Sequence, residues 1–156
     1  MKVRNDFVTN SSSSSFILGF TSKDKIEEEL LEGTTSDLLK DVVLKDVLEA
    51  EQFDEKEVEN RIREEMKYTA IWRIEELYRR RTGCSYQDAS DYVNTDDGKK
   101  EVEQYIDNIV NDAAQKIFEN EKCVFVEISY SDDYNCELEH YIMPFIPTNI
   151  ITFNHH

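Results

Sequence analysis

The sequence predicts an α+β fold: a small β-sheet made from the two ends of the chain, packed against a mostly helical insertion. Three observations carry that prediction. Short apolar, β-branched and aromatic runs sit near both termini, Phe16–Phe20 and Cys123–Tyr130. The hundred or so residues between them repeat their apolar side chains at three and four positions. No internal repeat interrupts this order. The expectation is a single domain over 1–156, with a terminal sheet from 1–20 and 123–156 and a helical block over 21–122.

Phe16-Ile17-Leu18-Gly19-Phe20 is bounded by polar residues and reads as a buried strand. Thr21 or Ser22 then caps a helix through about Glu32, with Glu27, Glu28 and Glu29 in its early turns and Gly33 as the stop. Ser36-Asp37 opens a second helical stretch carrying Leu38, Leu39, Val42, Val43, Val47 and Leu48. The longest helix runs from Asp54 to Thr82. Its stripe is Val58, Ile62, Met66, Ala70, Ile74 and Leu77, flanked by Trp72. Gly83 ends it after Arg79-Arg80-Arg81, three cations placed where they complement the helix dipole. Residues 84–98 are looser, with a helical turn over Tyr86–Val93. A further helix begins at Asp96 or Asp97 and turns Val102, Tyr105, Ile106, Ile109, Ala113 and Ile117 inward. Cys123–Tyr130 is a strand and Ser131–Asn135 a polar turn. Glu137–Met143 reads as a short helix, with a hairpin strand as the other reading. Pro144 and Pro147 break it, and Asn149–Asn154 is the last strand.

Five serines, Ser11–Ser15, precede the first strand. Serine-rich tracts are usually tethers, because they cannot bury apolar surface. This one is short and framed by Phe7, Val8 and Phe16, which favours a built-in role at the entry to the sheet.

The charge balance bounds the partners. With 34 Asp and Glu against 18 Lys and Arg, the net charge is −16. Such a surface repels phosphates and anionic lipid, so direct nucleic-acid binding and membrane binding are not expected. A basic protein surface is the expected partner. Residues 22–59 are the densest acidic stretch, and Glu28, Glu32, Asp37, Asp41, Glu49 and Asp54 are the candidate contact residues. No apolar run reaches bilayer-spanning length, the start lacks the apolar core of a secretory signal, and Cys84, Cys123 and Cys136 form no CxxC pair. The expectation is a cytosolic protein with reduced thiols.

The opening MKVRNDFVTNSSSSSFIL, together with Leu138-Glu139-His140, Pro144 and the closing Phe153-Asn154-His155-His156, resembles a group of small uncharacterised bacterial and phage proteins. They share a Phe-Val-(Ser/Thr)-Asn-serine-run-Phe start and a Leu-Glu-His…His-His end. Asp6 stands here where glycine often precedes the Phe-Val. The resemblance covers the first 20 and last 35 residues. It implies that the termini meet and that the chain is phage- or prophage-borne, and it transfers no activity.

All three histidines fall in the last 17 residues. His140, His155 and His156 are candidate ligands for a divalent metal such as zinc, iron or manganese. Glu139 and His140 are the candidate acid–base pair, with serine hydroxyls nearby in the expected fold. Adjacent His155 and His156 face opposite sides of a strand, which argues against their sharing one ion. Cys84, after three arginines, is a weak candidate nucleophile. No GxSxG, P-loop, HExxH or GxGxxG motif occurs. The function expected is therefore an acidic accessory or regulatory protein that binds a basic partner, with mimicry of nucleic acid to inhibit a host defence enzyme as one form. The alternative is a metal-binding protein or hydrolase built on His140 and Glu139.

Overall fold

The computed structural model describes residues 13–131 and 136–155. The fold is α+β, as expected, and the described residues divide between two compact units. One comprises residues up to Gln52 and from Lys122 onward; the other is Phe53–Glu121.

The first unit holds the sheet, apart from Phe53 of its two-residue edge strand. Its strands are β1 (Ser13–Phe20), β2 (Gln52–Phe53), β3 (Val124–Ser131) and β4 (Asn149–His155), in the order β2-β3-β1-β4. The strand from the N-terminal part of the chain is thus central, antiparallel to β3 on one side and to β4 on the other. Ser13–Ser15 belong to β1, so the serine run feeds directly into the ladder; Ser11 and Ser12 lie outside the described residues. β4 slips register between Ile17 and Leu18, and there the Gly19 amide donates to Thr148 O at 2.8 Å.

Alternation sorts β1 into two faces. Phe16, Leu18 and Phe20 point to a core shared with Val126, Ile128 and Tyr130 of β3. That core is closed by Ile26 and Leu30 of α1 (Ile26–Leu31), by Leu39, Val43 and Val47, and by Leu138 and Met143. Leu39–Val43 is a π-helical turn that runs into α2 (Leu44–Glu49), and Leu138–Ile142 is a second π-helical turn, followed by a 3₁₀ turn with Pro144 near its start. The helical reading of 137–143 is the one found. The first two helices therefore belong with the sheet, although the sequence groups them with the helical middle. Lys122 and Glu29 tie α1 on: the ammonium lies 2.7 Å from Glu29 Oε2, with both side chains largely buried. The same carboxylate takes the Thr21 amide and hydroxyl.

The second unit is three helices: α3 (Glu55–Thr82), α4 (Tyr86–Val93) and α5 (Asp96–Glu119). Each start is capped. Asp54 accepts from the Glu57 amide, Ser85 and Asp88 form a reciprocal capping box, and Thr95 accepts from the Gly98 amide. Gly83 ends α3 at φ 72°, the left-handed conformation that glycine adopts without a Cβ penalty. Ala70, Ile74, Val93, Val102 and Ile106 form the core. Gly98 lets α5 begin against the end of α4; a Cβ there would sit 2.1 Å from Tyr92 O. Leu77, expected in the stripe, is 42% exposed. Tyr78 turns inward in its place and stacks on Tyr92, with ring centroids 3.9 Å apart. Trp72 flanks the stripe from the solvent side.

Candidate functional site

The polar end of the sheet is one rung. Tyr130, Ser14 and Asn154 are register partners across β3, β1 and β4, and they share the face that carries the apolar core. The next rung inward, Ile128, Phe16 and Thr152, begins the core itself. Tyr130 donates its hydroxyl to Asp46 Oδ2 at 2.8 Å. Ser14 Oγ lies 2.8 Å from Glu139 Oε1 and 3.1 Å from the side-chain oxygen position of Asn154. A serine hydroxyl has one proton for these two acceptors. The consistent arrangement has Ser14 donating to Glu139, with the Asn154 amide turned so that its NH₂ donates to Ser14. On the other face of β1, Ser15 and Ser129 join through their hydroxyls at 2.9 Å.

Glu139 is buried by the geometry of its own turn. A π-helical turn bonds Met143 N to Leu138 O and widens the backbone, so that the adjacent Leu138 and Glu139 both face inward. The Glu139 side chain has no exposed surface. Its Oε1 is taken by Ser14, while Oε2 is buried without a hydrogen-bond partner. His140 Nε2 is 3.6 Å from Oε2, an ion-pair distance too long for a hydrogen bond, and its ring is partly exposed.

The candidate residues therefore separate. Glu139, His140 and Ser14 come together, and Asn154 joins them. Nothing in the sequence marks Asn154 for this role except its place opposite Ser14 in the register. His155 pairs with Ser13 through the backbone of β4, and His156 lies outside the described residues. Among the described residues no three His, Cys, Asp or Glu side chains group to hold a metal. The acidic candidates Glu28, Glu32, Asp37, Asp41, Glu49 and Asp54 are all exposed. Asp54 also caps α3. Cys84, Cys123 and Cys136 are free thiols. Cys84 lies beside Glu76, Arg79 and Arg80 in a shallow hollow.

A groove of about 440 Å³ runs between the first turns of α3 and the last turns of α5. Val58, Ile62, Ala113 and Ile117 form its floor, and Asp54, Glu55 and Glu59 outnumber Lys56 at its mouth. No helix among the described residues is long and apolar enough to cross a membrane. Fold and site together define a small acidic α+β protein whose strands β1 and β4 share a polar rung with the buried Glu139 beneath it. No protein-family model, curated protein or solved structure matches the chain.

Proposed function

We propose that the protein is a non-enzymatic accessory or regulatory protein that engages a basic protein partner through acidic side chains of its α1–α2 region. One observation carries the reading: Glu28, Glu32, Asp37, Asp41 and Glu49 all stand in solvent, in a chain of net charge −16. Charges left in water cost nothing to keep and steer an oppositely charged partner before contact. Lys40 and Lys45 are exposed among them, so the charge is an excess rather than an unbroken row. That pattern suits a protein surface of mixed sign better than imitation of a phosphate backbone. Leu48, 57% exposed beside Glu49, supplies an apolar contact within the same region.

The burial of Glu139 weighs against the alternative of a hydrolase. A general base must reach the proton it takes, and this carboxylate is sealed beneath the sheet end with one oxygen occupied by Ser14. The test is capture of partners at low salt, followed by association kinetics with the recovered partner. The reading expects a basic partner and an association rate that falls as salt rises. It also expects at least about tenfold weaker binding when Glu28, Glu32, Asp37, Asp41 and Glu49 are changed to their amides. Recovery of no basic partner at low salt, or equal binding by the amide variant, overturns it.

A further inference from the structure

The C-terminal half of α3 carries a second surface, of a different character. Trp72 is the only tryptophan in the chain and is 58% exposed. Tyr86, the first residue of α4, is 69% exposed, and Tyr68, one turn before Trp72, is 81% exposed. Trp, Tyr and Arg are the side chains that dominate binding energy at protein interfaces. Trp72, Arg79 and Tyr86 line one cleft of about 120 Å³ together with Glu75 and Glu76. Arg79 and Glu76 also line a hollow of about 290 Å³ with Arg80, Gly83 and Cys84.

Arg79 is the unusual member. Its neighbours are matched: Glu76 Oε2 accepts from Arg73 at 2.8 Å, Glu76 Oε1 accepts from Arg80, and Arg81 reaches Glu101 at 3.3 Å. Arg79 has no carboxylate partner among the described residues, in a chain where carboxylates outnumber cations almost two to one. Its guanidinium carbon lies 3.4 Å from the Tyr86 ring centroid, and its Nε is buried without a hydrogen-bond partner. Stacking on the ring holds the planar fork in one orientation, so little freedom is lost when it meets a second carboxylate-shaped group. The cleft itself is lined by one arginine and two glutamates, but Glu76 is taken by Arg73 and Arg80; counted with those two, the cluster carries one net positive charge, which matches one carboxylate and not a polyanion.

We propose that this cleft binds a short acidic segment of a partner protein. One carboxylate takes the Arg79 fork, and the adjoining apolar or aromatic side chain packs between Trp72 and Tyr86. The cleft's volume suits one side chain and falls below the several hundred Å³ of a cofactor or drug-sized site. Glu75 and Glu76 at the rim disfavour a nucleic-acid strand, whose phosphates follow one another closely. This contact is independent of the acidic face and opposite in sign to it.

Trp72 fluorescence reads occupancy directly, because no other tryptophan contributes. The probes are an acetylated, amidated tetrapeptide with one glutamate between leucine and phenylalanine, its lysine counterpart, and hexathymidylate. The expected result is a saturable blue shift with the glutamate peptide alone, half-complete at or below about 1 mM. Arg79→Gln should weaken the response about tenfold or more, and Arg79→Lys, which keeps charge but loses the fork, should weaken it less. Tyr86→Leu, at an exposed ring, should also weaken it and serves if Arg79→Gln does not fold. No shift, an equal shift with the lysine peptide, a shift with hexathymidylate only, or a response undiminished in the folded variants overturns the proposal.

Discussion

The two units place their polar interactions in opposite ways. The sheet unit buries them: Ser14 on Glu139, Tyr130 on Asp46, and Lys122 on Glu29 all lie at the margins of the apolar core. The three-helix unit leaves its ion pairs in water, along and between helix surfaces, as in Arg63 with Glu59 and Asp107 or Arg81 with Glu101. It relies instead on apolar packing, caps and a close backbone approach at Gly98. The difference follows from topology. A sheet whose central strand is drawn from one end of the chain and whose flanking strands come from the other must fix its register, and a one-residue slip of β1 would drive Ser14 off Glu139 and Phe16 into solvent. Helices joined by short capped turns face no such ambiguity, so their charges can serve solubility.

The largest effect expected is in the three-helix unit. Gly98→Ala puts a methyl group within 2.6 Å of Val93 Cα and still nearer Tyr92 O, both backbone atoms that cannot swing away. Denaturant unfolding should show a loss of about 3 kcal/mol. A neutral result would mean that the α4–α5 junction yields, and that this unit does not depend on close approach. Ser14→Ala comes next. It leaves Glu139 buried with neither oxygen bonded, at a cost of about 2 kcal/mol. Glu139→Gln keeps an acceptor for Ser14 and should cost clearly less. If Ser14→Ala proves harmless, the rung is not what holds the strands in register.

How far the sequence foretold this arrangement depends on the element. α3 was legible almost to the residue, because Asp54 is a side-chain cap and Gly83 a left-handed stop, both local signals. The meeting of the termini was legible from the apolar runs at 16–20, 123–130 and 149–154, and the ladder between β1 and β4 realises it. The two-residue β2 was not, since alternation needs more than one repeat to be seen. The sequence marked Glu139 as half of an acid–base pair with His140 but not its burial, because a π-helical turn buries neighbours that a 3.6-residue period would separate. Leu77 and Tyr78 exchanged roles through a stack with Tyr92, a contact of distant partners that no periodicity encodes. Arg79 looked like one of three helix-end cations, and only Tyr86, beyond the turn at Gly83, sets it apart.

Acid should separate the units next. Burial alone raises the Glu29 carboxyl, but hydrogen bonds from Lys122 and Thr21 outweigh it and leave its pKa below the ordinary value. A carboxylate depressed in the folded state stabilises fully above its unfolded pKa, and that contribution is lost as pH falls through the folded value. The Lys122–Glu29 pair therefore counts at neutral pH and fades below about pH 4.3. Denaturation midpoints of the native protein and Lys122→Met should differ most near neutrality and converge as the pH is lowered. A gap that persists unchanged into acid would assign the effect to packing of the lysine stem.

The smallest effect expected is at Arg63, and it is the sharpest check on the contrast. Its guanidinium meets Glu59 at 2.9 Å and Asp107 at 2.8 Å, distances as good as those of the buried pair. The hydrogen bonds it donates to Asp107 and then Glu59 raise its pKa, yet all three side chains stand 38–53% exposed. Water and salt compete for each partner there, and holding three long side chains in one geometry costs entropy. Arg63→Ala should leave the midpoint unchanged within error at physiological salt, although it removes two ion pairs where Lys122→Met removes one. A clear loss would show that the link from α3 to α5 is structural, and that exposure alone does not decide which charges matter in this protein.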